Sequence, residues 1–290
     1  MKVISNDERA SVTWKNIKTR RGKDGAARAL GYLALLVMFG ILASIFGYIM
    51  RGGATHITIQ MLTTVGNGST GGLLNAIVGT WLLVGVGLVF SLPPGILGAL
   101  YFVQRKSMTR MASIMRMFTD VLTSVPSIVI GLFGYLVLVI RFNMGFSLTA
   151  GGMALGVMML PYILRVSELS MKDVSKEQVA NAYALGADDI QVATRIYIPQ
   201  AIAGVLSGIL LAISIAAGET AQLLYTASWN NSFTSGFLHS RVAYLTYVVW
   251  YGIDQPGQSA HNLAFVAALI LILTVTALIV ISKYVNYKRR

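Results

Sequence analysis

Six stretches of this sequence run for 20 residues or more without a charged side chain: Leu30–Met50, Leu73–Val103, Val121–Ile140, Phe142–Leu164, Pro199–Gly218 and Leu263–Ser282. A helix needs about 20 apolar residues to cross a hydrocarbon core of about 30 Å. Inside that core its backbone polar groups have to be satisfied within the protein itself. One or two such runs fit inside a large soluble protein; six do not. Charged residues make up 12% of the chain, against about a quarter in soluble domains. The chain therefore reads as an all-α membrane protein of six transmembrane helices, with spans at about 30–50, 73–103, 118–140, 148–166, 199–225 and 263–284.

The net charge of +12 reports orientation. With the N-terminus inside, 20 of the 23 Lys and Arg residues fall on one side of the membrane. Arg51, Arg141 and Arg241 are left on the other. That asymmetry is the positive-inside pattern and places both termini in the cytoplasm. Residues 1–29 form a basic cytoplasmic tail and 285–290 a second, around a six-span membrane domain at 30–284. The first apolar run is long enough to span and lacks a small-residue cleavage site, so it reads as a span and not as a leader. Nucleic acid is excluded as a partner, because no basic face is interleaved with stacking aromatics. The lipid bilayer is the partner the composition demands. There is no cysteine, and His56, His239 and His261 are scattered, which leaves no thiolate or histidine cluster for a metal.

Several features inside and between the spans shape the chain. Pro93 and Pro94 lie within the second span, where a kink or a broken helix is expected. Gly152–Gly156 and Gly204–Gly208 give GxxxG spacings that permit close helix contact. The outer segment Thr226–Asn262 is rich in Trp and Tyr. It reads as an interfacial element on the outer membrane surface, or alternatively as a cap that receives a soluble partner.

The cytoplasmic loop at 165–198 is too long for a turn. Ser175 and Gln178 have capping-box spacing, so a helix is expected from there to Leu185. Gly186 supplies a turn, and Asp188 and Asp189 suit the first turn of a second helix. Ile190, Ala193 and Tyr197 share one face of that helix, and Pro199 ends the element and starts the fifth span. The whole is an elbow of two short helices, with Ala180, Ala182, Ala184 and Ala187 on its exposed knee, a shape that suits a groove in another protein.

This passage resembles the EAA loop of type I ABC-importer permeases. That pattern is Glu-Ala-Ala, three residues, Gly, nine residues, Ile, one residue, Leu-Pro. Gly186, Ile196 and Pro199 match at the right spacings, and Ala182 matches the third position. Ala180 stands where the pattern has Glu, Asn181 where it has Ala, and Ile198 where it has Leu. The blocks Asn75–Thr80, Val125–Gly134, Leu160–Glu168 and Ala216–Ala227 are similar, in the same order, to the phosphate-importer members of that family. The resemblance implies a half-channel in a type I ABC-importer permease arrangement, set in a bacterial or archaeal cytoplasmic (inner) membrane. It also implies a second, related phosphate permease subunit, an ATPase dimer beneath, and an extracytoplasmic phosphate-binding protein. Ala180, Asn181, Ala182, Gly186, Ala187, Ile196 and Pro199 would then seat the loop in the ATPase. ATP and magnesium would be bound by that ATPase, with no cofactor and no catalytic residue in this chain. Consistently, Gly22-Lys23 lacks the rest of a P-loop.

Ionisable residues within spans cost about 3 kcal/mol on insertion scales and so mark function. Glu219 lies 20 residues past Pro199, or about 30 Å of helix. That puts it in the outer half of the fifth span, either in the substrate pathway or as a structural carboxylate beside Thr220. A carboxylate repels phosphate, so a cation is expected to pair with it. The family carries an Arg four residues earlier, where this chain has Ile215. Arg165 and Glu168, three apart on one helical face, read either as an inner gate or as an interfacial salt bridge. Arg116 and Asp120 have intrahelical pairing distance and read as structural. The function that emerges is an ABC permease for phosphate. The alternatives are a permease for sulfate, molybdate or phosphonate and, from another class, an ion-coupled secondary transporter. The latter should show inverted repeats, and none is evident. A membrane-embedded enzyme would need a motif such as Gly-x-Ser-x-Gly, which is absent.

Overall fold

A computed structural model describes residues 6–104, 110–232 and 239–287, with side chains from 27 to 285. Arg105, Lys106, Phe233, Phe237 and the last three residues lie outside it, as do the side chains of the basic tail. The described residues contain no β-strand, only an isolated bridge between Gly66 and Gly71. Five helices are long and apolar enough to span a membrane, and a sixth span results if one bent pair is counted.

The chain divides into residues 1–51 and 52–290. The first unit is almost wholly the helix α1, Asn6–His56, which runs without a break through the expected tail into the first span. Its apolar side chains, Leu30, Phe39 and Ile41 among them, are exposed.

In the second unit the end of α1 meets the last helix, α12 (Gln258–Tyr287). A Cβ at Gly53 would stand 2.7 Å from Cβ of Leu269. A short α2 (Ile59–Thr63) precedes α3 (Leu74–Gln104), which continues unbroken through Pro93 and Pro94. The helix is not interrupted there because tertiary contact holds the segment: Gly95 and Gly98 lie against Ile163 and Leu164. Next come α4 (Arg110–Ser124) and α5 (Ser127–Gly134), the latter continued by a π-helical stretch, Tyr135–Arg141. The axes of α4 and the second segment differ by 104°. The third span expected at about 118–140 falls on this bent pair. Pro126 breaks it, because proline disfavours helical backbone at the preceding residue.

The central helix is α6 (Leu148–Lys172), 61% buried along its most apolar stretch. Both GxxxG spacings make the close contacts they permit. Gly152 and Gly156 lie against Val86 and Gly87 of α3, and Gly204 and Gly208 against Ser170 and Val166 of α6. Without a side chain between them, the backbones approach and gain dispersion contacts. Gly204→Leu would force these helices apart, at a cost of about 1–3 kcal/mol. The thermal midpoint of the detergent-solubilised protein should fall, whereas Gly31→Leu, with no atom near its added Cβ, should leave it unchanged.

The elbow follows as α7 (Lys176–Ala184) and α8 (Asp189–Val192). A π turn, Ala193–Tyr197, then leads straight into α9 (Ile198–Ala217). Pro199 does not end an element. It sits in the first turn of α9, where a missing N–H is tolerated, and Asp189–Ala217 is a single 29-residue helix. The helix that carries the fifth apolar run stops at Ala217, before a separate α10 (Ala221–Thr226). In the aromatic segment, α11 (Leu245–Asp254) is packed into the protein and does not simply rest on its surface. Tyr244 is 1% exposed, and Tyr247 stacks on Trp229 and Tyr251.

Candidate functional site

Glu219 falls in the gap between α9 and α10. After Ala217 the helix gives out: Gly218 and Glu219 donate only to the carbonyls of Ile215 and Ala216, and α10 begins anew from Thr220. The residue is then held from outside its own helix. The hydroxyl of Thr246, in α11, donates to the Glu219 carbonyl at 2.7 Å. Thr220, the neighbour expected to pair with it, starts α10 without a side-chain cap. Ile215 packs against the apolar core that includes Leu155, Ala212 and Leu223.

The approach of α5 to α10 is close. A Cβ at Gly131 would lie 2.5 Å from Cα of Gln222. Gln222 is itself fully buried and donates to Sδ of Met158 in α6.

A second charged centre forms on α6. Glu168 is 1% exposed and surrounded by three cations: Arg116 of α4 at 2.5 Å, Lys172 at 2.7 Å and Arg165 at 3.8 Å. Arg116 turns to Glu168 and not to Asp120, because α4 packs beside α6 and its guanidinium also lies 4.6 Å over the ring of Phe102. The expected pair Arg165–Glu168 is present, but it is the most exposed and longest contact of the three. Removing a carboxylate from water is tolerated only when it is paired and hydrogen-bonded, and Arg116 and Lys172 supply that pairing.

The two centres lie at different depths. Gly208 of α9 packs on Val166, at the level of the Glu168 cluster, and the Glu219 break is about 16 Å further along the axis at 1.5 Å per residue. An open groove of about 640 Å³ lies along one face of α4, lined by Ser113, Arg116, Asp120, Ser124 and Pro126 among others.

On the elbow, Ser175 caps α7 through the Gln178 amide, but the Gln178 side chain bonds Gln200 and completes no reciprocal box. The full capping box is Asp188 with Gln191. Gly186 has φ +84°, the left-handed region that glycine adopts without strain. Ala180, Asn181 and Pro199 are exposed, whereas Ala182, Ala187 and Ile196 pack partly inward with Val192 and Tyr197. The knee therefore presents fewer alanines than expected. Ile190 departs from the face of Ala193 and Tyr197, because the π turn shifts the register. It is 73% exposed, and Leu185 is 90% exposed. Burial and a hydrogen bond to Asp189 push the Tyr183 hydroxyl up to about 12. It therefore stays a donor at physiological pH and keeps the two short helices tied.

Lys172 was legible as an i+4 partner of Glu168, and Leu185 and Ile190 as apolar residues in a polar loop. Nothing local pointed to Arg116 as the partner of Glu168, since the two are brought together by the fold. Among the described residues no group of His, Cys, Asp or Glu is placed to hold a metal ion.

Residues 91–290 match the family described as binding-protein-dependent transport system inner membrane component. The chain is 40% identical over 237 residues to a phosphate transport system permease protein PstA 2 of Mycobacterium bovis, covering 81% of this chain and 77% of that protein. It is 32% identical to a phosphate transport system permease protein PstA of Yersinia pestis, covering 93% and 92%. In fold it is similar to a chain of the MetNI methionine ABC transporter in an inward-facing conformation. That likeness has a TM-score of 0.53 at 17% identity and covers 73% of this chain and 94% of the other.

Proposed function

Because this chain belongs to the family of binding-protein-dependent transport system inner membrane components, with PstA phosphate permeases among its relatives, we propose the following role for it. It is the permease subunit of an ATP-driven phosphate importer and forms half of the translocation pathway. The observation that carries the reading is the 40% identity to a phosphate permease across four-fifths of the chain. The protein is a multi-pass inner-membrane protein and not itself an enzyme. Its partners are a second, PstC-like permease, a PstB-like ATPase dimer that binds ATP and magnesium, and a PstS-like extracytoplasmic phosphate-binding protein. Both termini lie in the cytoplasm, on the side of the basic segments.

Within this reading the elbow seats in the ATPase through Ala180, Asn181, Ala182, Gly186, Ala187, Ile196 and Pro199. Exposed Leu185 and Ile190 add about 25 cal/mol for each Å² they bury there. Closure of the ATPase moves α8, and with it the continuous helix that ends at Ala217, two residues before Glu219. Glu219 and Thr220 stand at the outer gate. Phosphate leaves past Arg165, whose exposed guanidinium can bind it bidentately.

The test is labelled-phosphate uptake in cells lacking their own high-affinity importer, with this chain supplied beside its partners. Uptake should require this chain and ATP and should ignore excess sulfate, molybdate and phosphonate. Competition by one of those anions would assign the permease to that anion instead.

A further inference from the structure

Two neighbouring helices of the membrane domain carry proline inside them, and they carry it at one level. Pro93 and Pro94 lie within α3 and Pro161 within α6. The contacts between these helices fix their relative depth. A Cβ at Gly156 would stand 2.9 Å from the Gly87 carbonyl, and one at Gly95 would stand 2.9 Å from Cγ2 of Ile163. Residue numbers rise together along the pair, so α3 and α6 run in the same direction. Two residues before the Gly95–Ile163 contact stand Pro93 and Pro161, within about 1.5 Å of a common depth. We propose that Pro93, Pro94 and Pro161 form a flexure across α3 and α6, at which the inner ends of both helices bend to follow the elbow while their outer parts stay in place. This rests on the reading that the elbow receives the motion of the ATPase, and it adds the level at which the membrane domain yields.

Three observations support it. First, a proline inside a helix removes the main-chain hydrogen bond to the residue four before it. Val89 and Phe90 of α3 and Val157 of α6 thereby lose the helical partners of their carbonyls. Both helices continue through this level without the bonds that would stiffen it, and long helices bend at such places. Second, the parts of α3 on either side are tied to different elements. Toward the outside, the Thr80 hydroxyl accepts from the Leu245 amide at 2.9 Å, where α11 begins. Toward the cytoplasm, Nε2 of Gln104, the last residue of α3, donates to the Asp189 carbonyl at 2.7 Å, where α8 begins. Leu100 of α3 and Met171 of α6 also share a buried cluster with Val192 and Tyr197 of the elbow. Third, Asp189–Ala217 runs as one helix and joins the same cluster through Ala201 and Val205. A tilt of that helix therefore loads the inner ends of α3 and α6. Two stiff neighbours would resist it. Two that yield at one level let it through and keep the close glycine contacts between them.

The experiment uses the assembled transporter in proteoliposomes. It compares Pro93→Ala/Pro94→Ala/Pro161→Ala with Pro93→Gly/Pro94→Gly/Pro161→Gly. Alanine restores the missing N–H groups and is the best helix former, so the alanine variant stiffens this level without weakening the fold. Its thermal midpoint should be no lower than that of the unaltered complex, while phosphate uptake falls by about tenfold as the conformational step becomes harder. Glycine is the poorest helix former after proline, so the glycine variant stays pliant there and should keep its uptake. Unimpaired uptake by the alanine variant, a loss of uptake that comes with a lower thermal midpoint, or an equal loss with glycine would each overturn the proposal. Normal uptake by Gly186→Val would instead remove the elbow from the coupling path, a failure read from a different variant.

Discussion

Glu168→Ala is expected to be the most destabilising single substitution at the charged sites, by about 3 kcal/mol. The carboxylate is almost wholly buried beside Arg116 and Lys172. Deleting it leaves the partly buried guanidinium of Arg116, a quarter exposed, without its counter-charge. An uncompensated charge is what makes breaking a buried pair expensive, whatever the pair contributes when intact. The thermal midpoint of the purified complex should drop by several degrees, and less protein should reach the membrane.

Arg165→Ala separates structure from transport in the same cluster. Its side chain is 59% exposed and 3.8 Å from Glu168, a contact worth under about 1 kcal/mol once solvent screening is counted. Stability should barely change. A fall in uptake without a fall in stability would assign Arg165 to phosphate release, and unchanged uptake would leave it a surface cation.

The second large effect is uncoupling by Gly186→Val. The position has open space for a side chain but a φ of +84°, which costs an L-residue roughly 1–2 kcal/mol, and more when β-branched. The strain falls on the turn between α7 and α8 and tilts the knee that carries Leu185 and Ile190. ATP hydrolysis by the assembled complex should persist while phosphate uptake falls by about tenfold or more, since a small misplacement of a coupled element has that order of effect. Measuring both activities in the same proteoliposomes checks it. Normal transport by this variant would remove the elbow from the coupling path.

Charge-free runs were enough to find the spans, because a hydrocarbon core imposes one length and one composition on whatever crosses it. They were not enough to find the bend in the third. Val121–Ile140 is uniformly apolar, and only Pro126 within it signals the break. Likewise the spacing of Gly186, Ile196 and Pro199 located the elbow, but suggested a stop at Pro199 where the helix continues. A π turn is a matter of hydrogen-bond register and leaves no mark in composition. The charged sites divide in the same way. Glu168 with Arg165 and Lys172 is visible on a helical wheel, whereas Arg116 arrives from another helix. Gly131 and Gln222 are far apart in sequence and meet only because α5 packs on α10.

The uninterrupted helix from Asp189 to Ala217 has a mechanical meaning that its hydrogen bonds do not express. Gly204 and Gly208 press it against α6 partway along its length, so it can act as a lever with that contact as fulcrum. At 1.5 Å per residue, the arm toward the elbow is about 26 Å and the arm toward Ala217 about 16 Å. A sideways push at the elbow end would then emerge at the far end reversed in direction and reduced to about 0.6 of its size. On such a lever, drawing two elbows together would swing the outer arms apart.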